Sequence, residues 1–274
     1  MEGAIQRDIP AGGISIHVQI TGQGEPLLLL MGLGASGDKW QRNAEEYKKH
    51  YTCIIPDNRG AGRSGKPDCD SYSVIDMAED TVAILDALGY NSVFVNGISM
   101  GGAIAMELAI RYPERVRGLI LTSTFPYACN TFKAAINFLR DNRDTLNKKS
   151  LKRLNQWMTF SSKTQNERPE FLEEMAEEDA LIPYPMPDYA YKAQCNACLA
   201  HNAADRLHLI KAPTLIAAGE CDMFAPLPLA IEMKNAISGS ELYVCKDGGH
   251  VHEWEYLEQY NRITLEFLNK HSGV

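Results

Sequence analysis

Short apolar runs alternate with helix-like segments along most of the chain. The segments between the runs carry apolar residues at helical spacing, which is the pattern of a mostly parallel β-sheet flanked by helices. An earlier segment, residues 14–20, alternates apolar and polar residues instead, which predicts a half-exposed antiparallel strand at the sheet edge. The pattern as a whole predicts an α/β fold. The runs that predict strands are residues 27–30, 53–55, 93–95, 119–121, 214–217 and 242–244.

One connecting helix is marked at both of its ends. Ser73 and Asp76 have the spacing of a capping-box pair, and Gly89 is a residue that commonly ends a helix. Between these positions one helical face is mostly apolar, which predicts that the helix packs against the sheet. The residues of that face are Met77, Thr81, Leu85 and Leu88.

The alternation breaks after Phe125, where the sequence becomes helical and irregular for about eighty residues. An insertion of this kind between two sheet strands predicts a helical cap that lies over the functional site. We therefore expect an α/β core formed by residues 1–124 and 205–274, with a helical cap formed by residues 125–204.

Charge and composition exclude several classes of protein. A chain of 274 residues can bury a full core, and a net charge of −8 without a Lys/Arg-rich stretch argues against nucleic-acid binding. No apolar run approaches the length of a membrane span, and residues 1–8 lack the basic and apolar regions of a signal peptide. We therefore expect a cytoplasmic protein with no membrane partner.

The seven cysteines are an odd number scattered across a chain too large to need disulfides, which indicates reduced thiols. Cys195 and Cys198 have CxxC spacing, but no second Cys or His pair stands at zinc-finger spacing. We interpret them as two thiols one turn apart on a helix. The sequence therefore predicts neither a metal site nor a cofactor.

A serine between two glycines is the most informative feature of the chain. Residues 97–101 read Gly-Ile-Ser-Met-Gly, after a predicted strand and before a helix-like segment. The glycines leave space for a sharp, strained turn that presents the hydroxyl of Ser99 at the end of the sheet. The helix that begins there directs backbone N–H groups to the point where negative charge develops in acyl transfer. Ser99 is therefore the candidate nucleophile.

A serine hydroxyl needs a base to remove its proton and a carboxylate to orient that base. A sharp strand–turn–helix of the kind at Ser99 is called a nucleophile elbow, and after it the acid comes first along the chain and the histidine second. Asp222 and His250 stand in that order, each just beyond a predicted strand, and complete a candidate catalytic triad. Glu220 and His252 are the alternatives. We favour Asp222 because it matches the pattern of the family that the chain resembles, described below. We favour His250 because the preceding Gly-Gly gives its loop freedom to project the ring inward.

An oxyanion hole needs two backbone N–H donors. Met100, the residue after the candidate nucleophile, is expected to supply one. Leu33 is expected to supply the other, because Gly32 and Gly34 let the loop turn an N–H inward. A plain glycine turn between strand and helix is the alternative interpretation of this loop.

Taken together, these motifs resemble the α/β-hydrolase superfamily. Residues 57–64, Asp-Asn-Arg-Gly-Ala-Gly-Arg-Ser, are similar to a structural turn of that superfamily. The resemblance covers residues 12–124 and 205–270, and it implies an α/β-hydrolase fold with an inserted helical cap. Haloalkane dehalogenases and epoxide hydrolases carry Asp at the nucleophile position, so Ser99 argues against both.

Within the superfamily, the sequence from Ala212 onward is similar to 3-oxoadipate enol-lactonase-like esterases. Met31-Gly32 stands where many relatives have His-Gly, a variant that resembles esterases of the methylesterase kind. The missing ring removes a polar anchor from the oxyanion loop but leaves its backbone donor. The resemblance implies a serine hydrolase that cleaves a carboxylic ester or lactone of a small, largely apolar substrate through an acyl-enzyme on Ser99.

The substrate pocket is expected to lie between the core and the cap. The cap residues among its candidates could equally be the core of the cap itself. The candidate pocket residues are Gly32, Met223 and Val251 from the core and Trp157, Met158 and Phe160 from the cap.

Two other functions stay open. Hydrolases that cut carbon–carbon bonds in ring-fission products tend to carry Trp-Glu at the spacing that Trp254 and Glu255 have after His250, although their elbow usually has Asn in place of Ile98. A small-molecule receptor built on a hydrolase scaffold would keep the triad without turnover. An exposed apolar cap face would also be compatible with a homodimer.

Overall fold

The computed structural model describes residues 3–181 and 183–272. The strands of the described residues are β1 (Ile5–Ala11), β2 (Ile14–Thr21), β3 (Glu25–Leu30), β4 (Tyr51–Pro56), β5 (Val93–Ile98), β6 (Val116–Thr122), β7 (Thr214–Gly219) and β8 (Glu241–Cys245). They form one sheet in the order β1-β2-β4-β3-β5-β6-β7-β8. Pairing is antiparallel at β2 and parallel from β4 to β8. The predicted mostly parallel sheet is confirmed.

Helices cover both faces of this sheet. In the described residues they are α1 (Gln41–Tyr47), α2 (Val74–Leu88), α3 (Met100–Arg111), α4 (Asn130–Asp141), α5 (Lys148–Thr159), α6 (Ser162–Glu167), α7 (Pro169–Leu181), α8 (Asp188–Ala200), α9 (Leu227–Ala236), α10 (His252–Glu255) and α11 (Leu257–His271). Within the parts of the chain that the structure describes, no helix is both long and apolar enough to cross a membrane.

The edge of the sheet differs from the prediction. The strand predicted there, β2, is antiparallel as expected, but it lies inside the sheet, and β1 forms the edge. Gly12 and Gly13 connect the two strands with φ values of 51° and 79°, which suit a two-residue hairpin turn. The predicted edge position was wrong because this Gly-Gly hairpin adds a further strand before β2.

The core is divided by the sheet into two apolar clusters, since alternate residues of a strand face opposite sides. In β3, Leu28 and Leu30 belong to the cluster that includes α2, α3 and α8, whereas Leu27 and Leu29 belong to the cluster that includes α1 and α11. All four leucine side chains are fully buried, and burial of each contributes about 1.5–3 kcal/mol.

The helix predicted between the second and third runs is α2. The side chain of Ser73 accepts a 3.1 Å hydrogen bond from the backbone N–H of Ile75 at its start, and Gly89 ends it with a φ of 76°. Both predicted ends are confirmed.

The helices between β6 and β7 are α4 to α8 in the described residues. The ends of this insertion lie side by side, because Tyr127 and Asn202 form an antiparallel bridge. Cys195 and Cys198 are buried on α8 in the same apolar cluster as the sheet. Within the expected cap, residues 125–204, both α8 and α4 pack on the core, since Phe132, Ile136 and Leu139 of α4 belong to the same cluster.

Candidate active site

Ser99 lies on the sharp turn between β5 and α3, with φ 54° and ψ −118°. A Cβ atom on Gly97 would lie 2.3 Å from the carbonyl oxygen of Gly101, and one on Gly101 would lie 2.2 Å from the carbonyl oxygen of Leu30. Because real Cβ atoms do not approach a carbonyl oxygen so closely, only glycine fits at either position. The elbow therefore has the strained strand–turn–helix form expected from the sequence.

The structure brings Ser99, His250 and Asp222 into one hydrogen-bonded row. The Nε2 atom of His250 lies 3.1 Å from the Oγ atom of Ser99. Its Nδ1 atom lies 2.8 Å from Oδ2 of Asp222. Oδ1 of Asp222 also accepts hydrogen bonds from the backbone N–H groups of Phe224 at 2.8 Å and Ala225 at 2.9 Å. This loop orients the carboxylate, and the carboxylate orients the imidazole.

Neither alternative residue reaches this row. Glu220 is exposed and accepts a 3.1 Å hydrogen bond from the backbone N–H of Asp247. His252 is fully buried and packs near the rings of Tyr243 and Tyr260, with centroids 6.5 Å and 5.7 Å away. Burial lowers the pKa of His252 to about 4, so this ring is neutral at pH 7. His252 is a packing residue.

The expected oxyanion loop lies against the elbow. A Cβ atom on Gly32 would lie 3.3 Å from the Cβ atom of Ser99, so the loop backbone is in close contact with the serine. Leu33 lines the same cavity as Ser99, and Met100 is the first residue of α3. The placement of both residues suits the expected backbone donors.

The turn formed by residues 57–64 has a structural role. The buried carboxylate of Asp57 accepts hydrogen bonds from the backbone N–H groups of Gly37 at 2.7 Å and Arg63 at 2.8 Å. The side chain of Asn58 donates a 2.7 Å hydrogen bond to the carbonyl oxygen of Met31. This turn therefore fixes the start of the oxyanion loop.

The insertion between β6 and β7 is hydrogen-bonded directly to the loop that carries His250. The backbone N–H of His250 donates a 2.8 Å hydrogen bond to the carbonyl oxygen of Thr159, at the end of α5. The buried carboxylate of Glu255 accepts hydrogen bonds from the N–H groups of Ser161 at 2.8 Å and Gly249 at 2.6 Å. The sequence singled out Glu255 only through its spacing from His250, and this contact is found only in the folded structure.

A cavity of about 470 Å³ opens above Ser99 and His250, between the core and the inserted helices. One helical face of α4 forms an apolar part of its wall with Phe132, Ile136 and Leu139. Phe224 continues that wall, and its ring centroid lies 5.0 Å from that of His250. The spacing of the three α4 residues, four and three apart, is a helical signal that could have identified this wall.

The cavity also has a cationic part. Lys39, Arg143 and Lys152 line it. Burial lowers the pKa of Lys39 to about 8. Arg143 donates to Asp188 at 3.1 Å, and its guanidinium lies 4.2 Å from the ring centroid of Tyr191. The wall is therefore less uniformly apolar than expected from the sequence.

The expected pocket residues divide into two groups. Gly32, Phe160 and Val251 line the cavity. The other three do not, and the structure corrects that expectation: Met158 packs against the core cluster, while Trp157 is 56% and Met223 43% exposed. On α5 the cavity face passes through residues 152, 155, 156 and 159, which leaves Trp157 on another side of the helix. Phe224, one residue after Met223, takes the expected place.

Comparisons with known proteins identify the family. A family model described as the α/β hydrolase fold matches residues 25–255. The chain is 30% identical to 2-hydroxymuconate semialdehyde hydrolase of Pseudomonas putida, over 96% of this chain and 94% of the relative. Among solved structures, Est816, described as an N-acyl homoserine lactone degrading enzyme, is 29% identical with a TM-score of 0.82, over 95% of this chain and 100% of its own.

The enol-lactonase from Burkholderia xenovorans LB400 has the same fold, with a TM-score of 0.86 at 21% identity over 97% of this chain and all of its own. The chain therefore belongs to the α/β hydrolase fold family, and it is a hydrolase. The α/β-hydrolase fold implied by the sequence motifs is confirmed.

Proposed function

We propose that the protein is a serine hydrolase that cleaves a carboxylic ester or lactone through an acyl-enzyme on Ser99. The observation that carries this proposal is the row of hydrogen bonds from Ser99 through His250 to Asp222, with distances of 3.1 Å and 2.8 Å at the bottom of a cavity. A base within hydrogen-bond reach of the hydroxyl, itself oriented by a carboxylate, is what activation of a serine requires.

The reaction proceeds in two halves. His250 removes the proton of Ser99 as Oγ attacks the carbonyl carbon, and the N–H groups of Leu33 and Met100 donate to the oxyanion. When the tetrahedral intermediate collapses, the C–O bond to the alcohol breaks and His250 gives its proton to the leaving oxygen. Water, activated by His250, then attacks the acyl-enzyme, which releases the acid and restores the serine. Asp222 balances the charge of the imidazolium in both halves.

Est816, the neighbour described as an N-acyl homoserine lactone degrading enzyme, supports a substrate of this class, at 29% identity over nearly the whole of both chains. Ile98 also supports it, because this apolar residue lines the cavity beside the nucleophile, where the carbon–carbon hydrolases usually have Asn.

A second candidate is hydrolysis of a carbon–carbon bond in a ring-fission product. The relative that is 30% identical is named for a semialdehyde, a class of compound without an ester bond. Trp254 stands at the spacing of that branch and lines the cavity. The two candidates use the same side chains and differ in the bond that is presented to Ser99.

The test combines a covalent probe with a panel of substrates. A fluorophosphonate should label the wild-type protein and not Ser99→Ala, the unlabelled wild type should turn over p-nitrophenyl esters or lactones, and labelling should abolish that turnover. Labelling that persists in Ser99→Ala contradicts the assigned nucleophile, and absence of labelling in the wild type favours the receptor alternative. Rapid consumption of a coloured ring-fission dienoate with negligible ester turnover would support the second candidate instead.

A further inference from the structure

Gln194, on α8, is fully buried, and both the oxygen and the nitrogen of its side-chain amide form hydrogen bonds. Its Oε1 atom accepts a 2.9 Å hydrogen bond from the backbone N–H of Gly34. Its Nε2 atom donates a 2.7 Å hydrogen bond to the carbonyl oxygen of Arg59. One side chain of the insertion thus joins the oxyanion loop to the turn formed by residues 57–64.

The loop that Gln194 contacts needs such a restraint. Gly34 has a φ of 75°, a conformation that glycine reaches easily and leaves as easily. The other end of the loop is held by the 2.7 Å hydrogen bond from Asn58 to the carbonyl oxygen of Met31. Leu33 lies between these two held residues, so the direction of its N–H depends on both contacts.

A neighbouring residue on the same helix supports the contact. Tyr191 stands one turn before Gln194, and a Cβ atom on Gly34 would lie 3.0 Å from Cε2 of its ring. The same face of α8 therefore packs on Gly34 and accepts its N–H. The contact is specific to this point of the loop, since the nearby Asn196 bonds to Asp70 and Arg140 instead.

We propose that Gln194 is a positioning residue for the oxyanion hole, which it orders through Gly34 so that the N–H of Leu33 points at the developing oxyanion. This inference rests on the proposed function. A donor stabilises a transition state most when it is already aimed before the reaction, and small displacements of a donor reduce that effect strongly. The amide of Gln194 acts from outside the cavity and touches no substrate.

The experiment compares Gln194→Met, which has similar length and no hydrogen bonds, with the control Asn196→Leu. The control also removes side-chain hydrogen bonds between α8 and other segments but does not contact the loop. The fraction of active sites is determined by titrating a separate sample with the fluorophosphonate. The kcat for a p-nitrophenyl ester is then expressed per labelled site, and KM is measured in the same assay. The dissociation constant of an alkyl boronic acid, which mimics the tetrahedral intermediate, is measured in parallel.

For Gln194→Met we expect kcat per labelled site to fall about 10- to 100-fold, KM to stay within about 2-fold, and boronic acid binding to weaken with kcat. For Asn196→Leu, kcat, KM and the dissociation constant of the boronic acid should each remain within about 2-fold of the wild type. Gln194→Asn, one methylene shorter, should show at least a 5-fold loss of kcat, and it replaces Gln194→Met if that variant does not fold.

A folded Gln194 variant with wild-type kcat per labelled site and unchanged boronic acid affinity would overturn the inference, even if its thermal stability had fallen. Failure of the wild type itself to label or turn over esters is a different result, because it contradicts the proposed function and not the role of Gln194.

Discussion

The carboxylate of Glu255 accepts a 2.6 Å hydrogen bond from the backbone N–H of Gly249, the residue that precedes His250. Its second oxygen accepts from the N–H of Ser161, in the insertion. The carbonyl oxygen of Thr159 meanwhile accepts from the N–H of His250. The position of the α5–α6 junction and the position of the histidine are therefore coupled, and movement of one disturbs the other.

Glu255→Gln is expected to weaken this coupling. A glutamine has one oxygen, so its NH2 group must face one of the two N–H donors, and an unpaired buried donor costs about 1–3 kcal/mol. The melting temperature should fall, and kcat per labelled site should fall about 10-fold or more as His250 is displaced. Thermal unfolding measures the first effect, and steady-state kinetics with fluorophosphonate counting of active sites measures the second. Glu258 is exposed, so Glu258→Gln serves as the control. A Glu255→Gln protein with the same melting temperature and kcat as this control would refute the coupling.

The lowered pKa of the buried His252 side chain is expected to make the stability of the protein depend on pH. Its folded pKa of about 4 lies below the ordinary value of 6.5, so between these pH values the unfolded chain binds a proton that the folded chain excludes. The free energy of unfolding therefore falls as the pH is lowered from about 6.5 to 4. Relative to His252→Gln, the wild type should lose about 3 kcal/mol over this window. Urea unfolding at pH 7, 5.5 and 4.5 tests this, and a pH-independent difference would contradict it.

Gly97→Ala is expected to disrupt the elbow. The new Cβ atom would lie 2.3 Å from the carbonyl oxygen of Gly101, so the turn must shift. We expect a loss of about 1–3 kcal/mol in stability together with a large loss of fluorophosphonate labelling. Gly89→Ala is the matched control, because its Cβ meets nothing within 4 Å and only the φ of 76° is strained, which costs about 1–2 kcal/mol. That variant should keep wild-type labelling per folded molecule.

Ile136→Ala is expected to alter the preference for acyl length. Ile136 is buried in the cavity wall, and its truncation leaves room for a longer chain. The ratio of kcat/KM values for long and short p-nitrophenyl esters should rise about 10-fold, the scale of one or two methylenes in an apolar pocket. Trp157→Ala, at a position exposed outside the cavity, should leave this ratio unchanged. A change in this ratio for Trp157→Ala without a change for Ile136→Ala would show that the acyl chain does not bind along the α4 wall.

The parts of this site that follow local sequence rules were predictable. Ser99, Asp222 and His250 each stand just past a strand, and parallel strands bring their carboxyl ends to one edge of the sheet, so these positions implied that the three residues lie close together. Gly97 and Gly101 identified the elbow because the turn leaves no room for a side chain.

The parts that depend on the direction in which a helix or loop projects its side chains were not predictable. Trp157 and Met223 were expected in the pocket, but α5 and the loop after β7 turn Thr159 and Phe224 toward it. Gln194 contacts Gly34 across 160 positions of sequence. Contacts of this kind are set by how the insertion packs on the core, which no local pattern records.

The central claim is that Ser99 carries the acyl group. The most direct measurement is rapid quenching of the protein during turnover of a p-nitrophenyl ester, followed by mass spectrometry of the intact chain and of the peptide that contains residue 99. A burst of nitrophenol should accompany a mass increase equal to the acyl group, located on Ser99, and Ser99→Ala should show neither. Full ester turnover by Ser99→Ala, or an adduct located on another residue, would contradict the account.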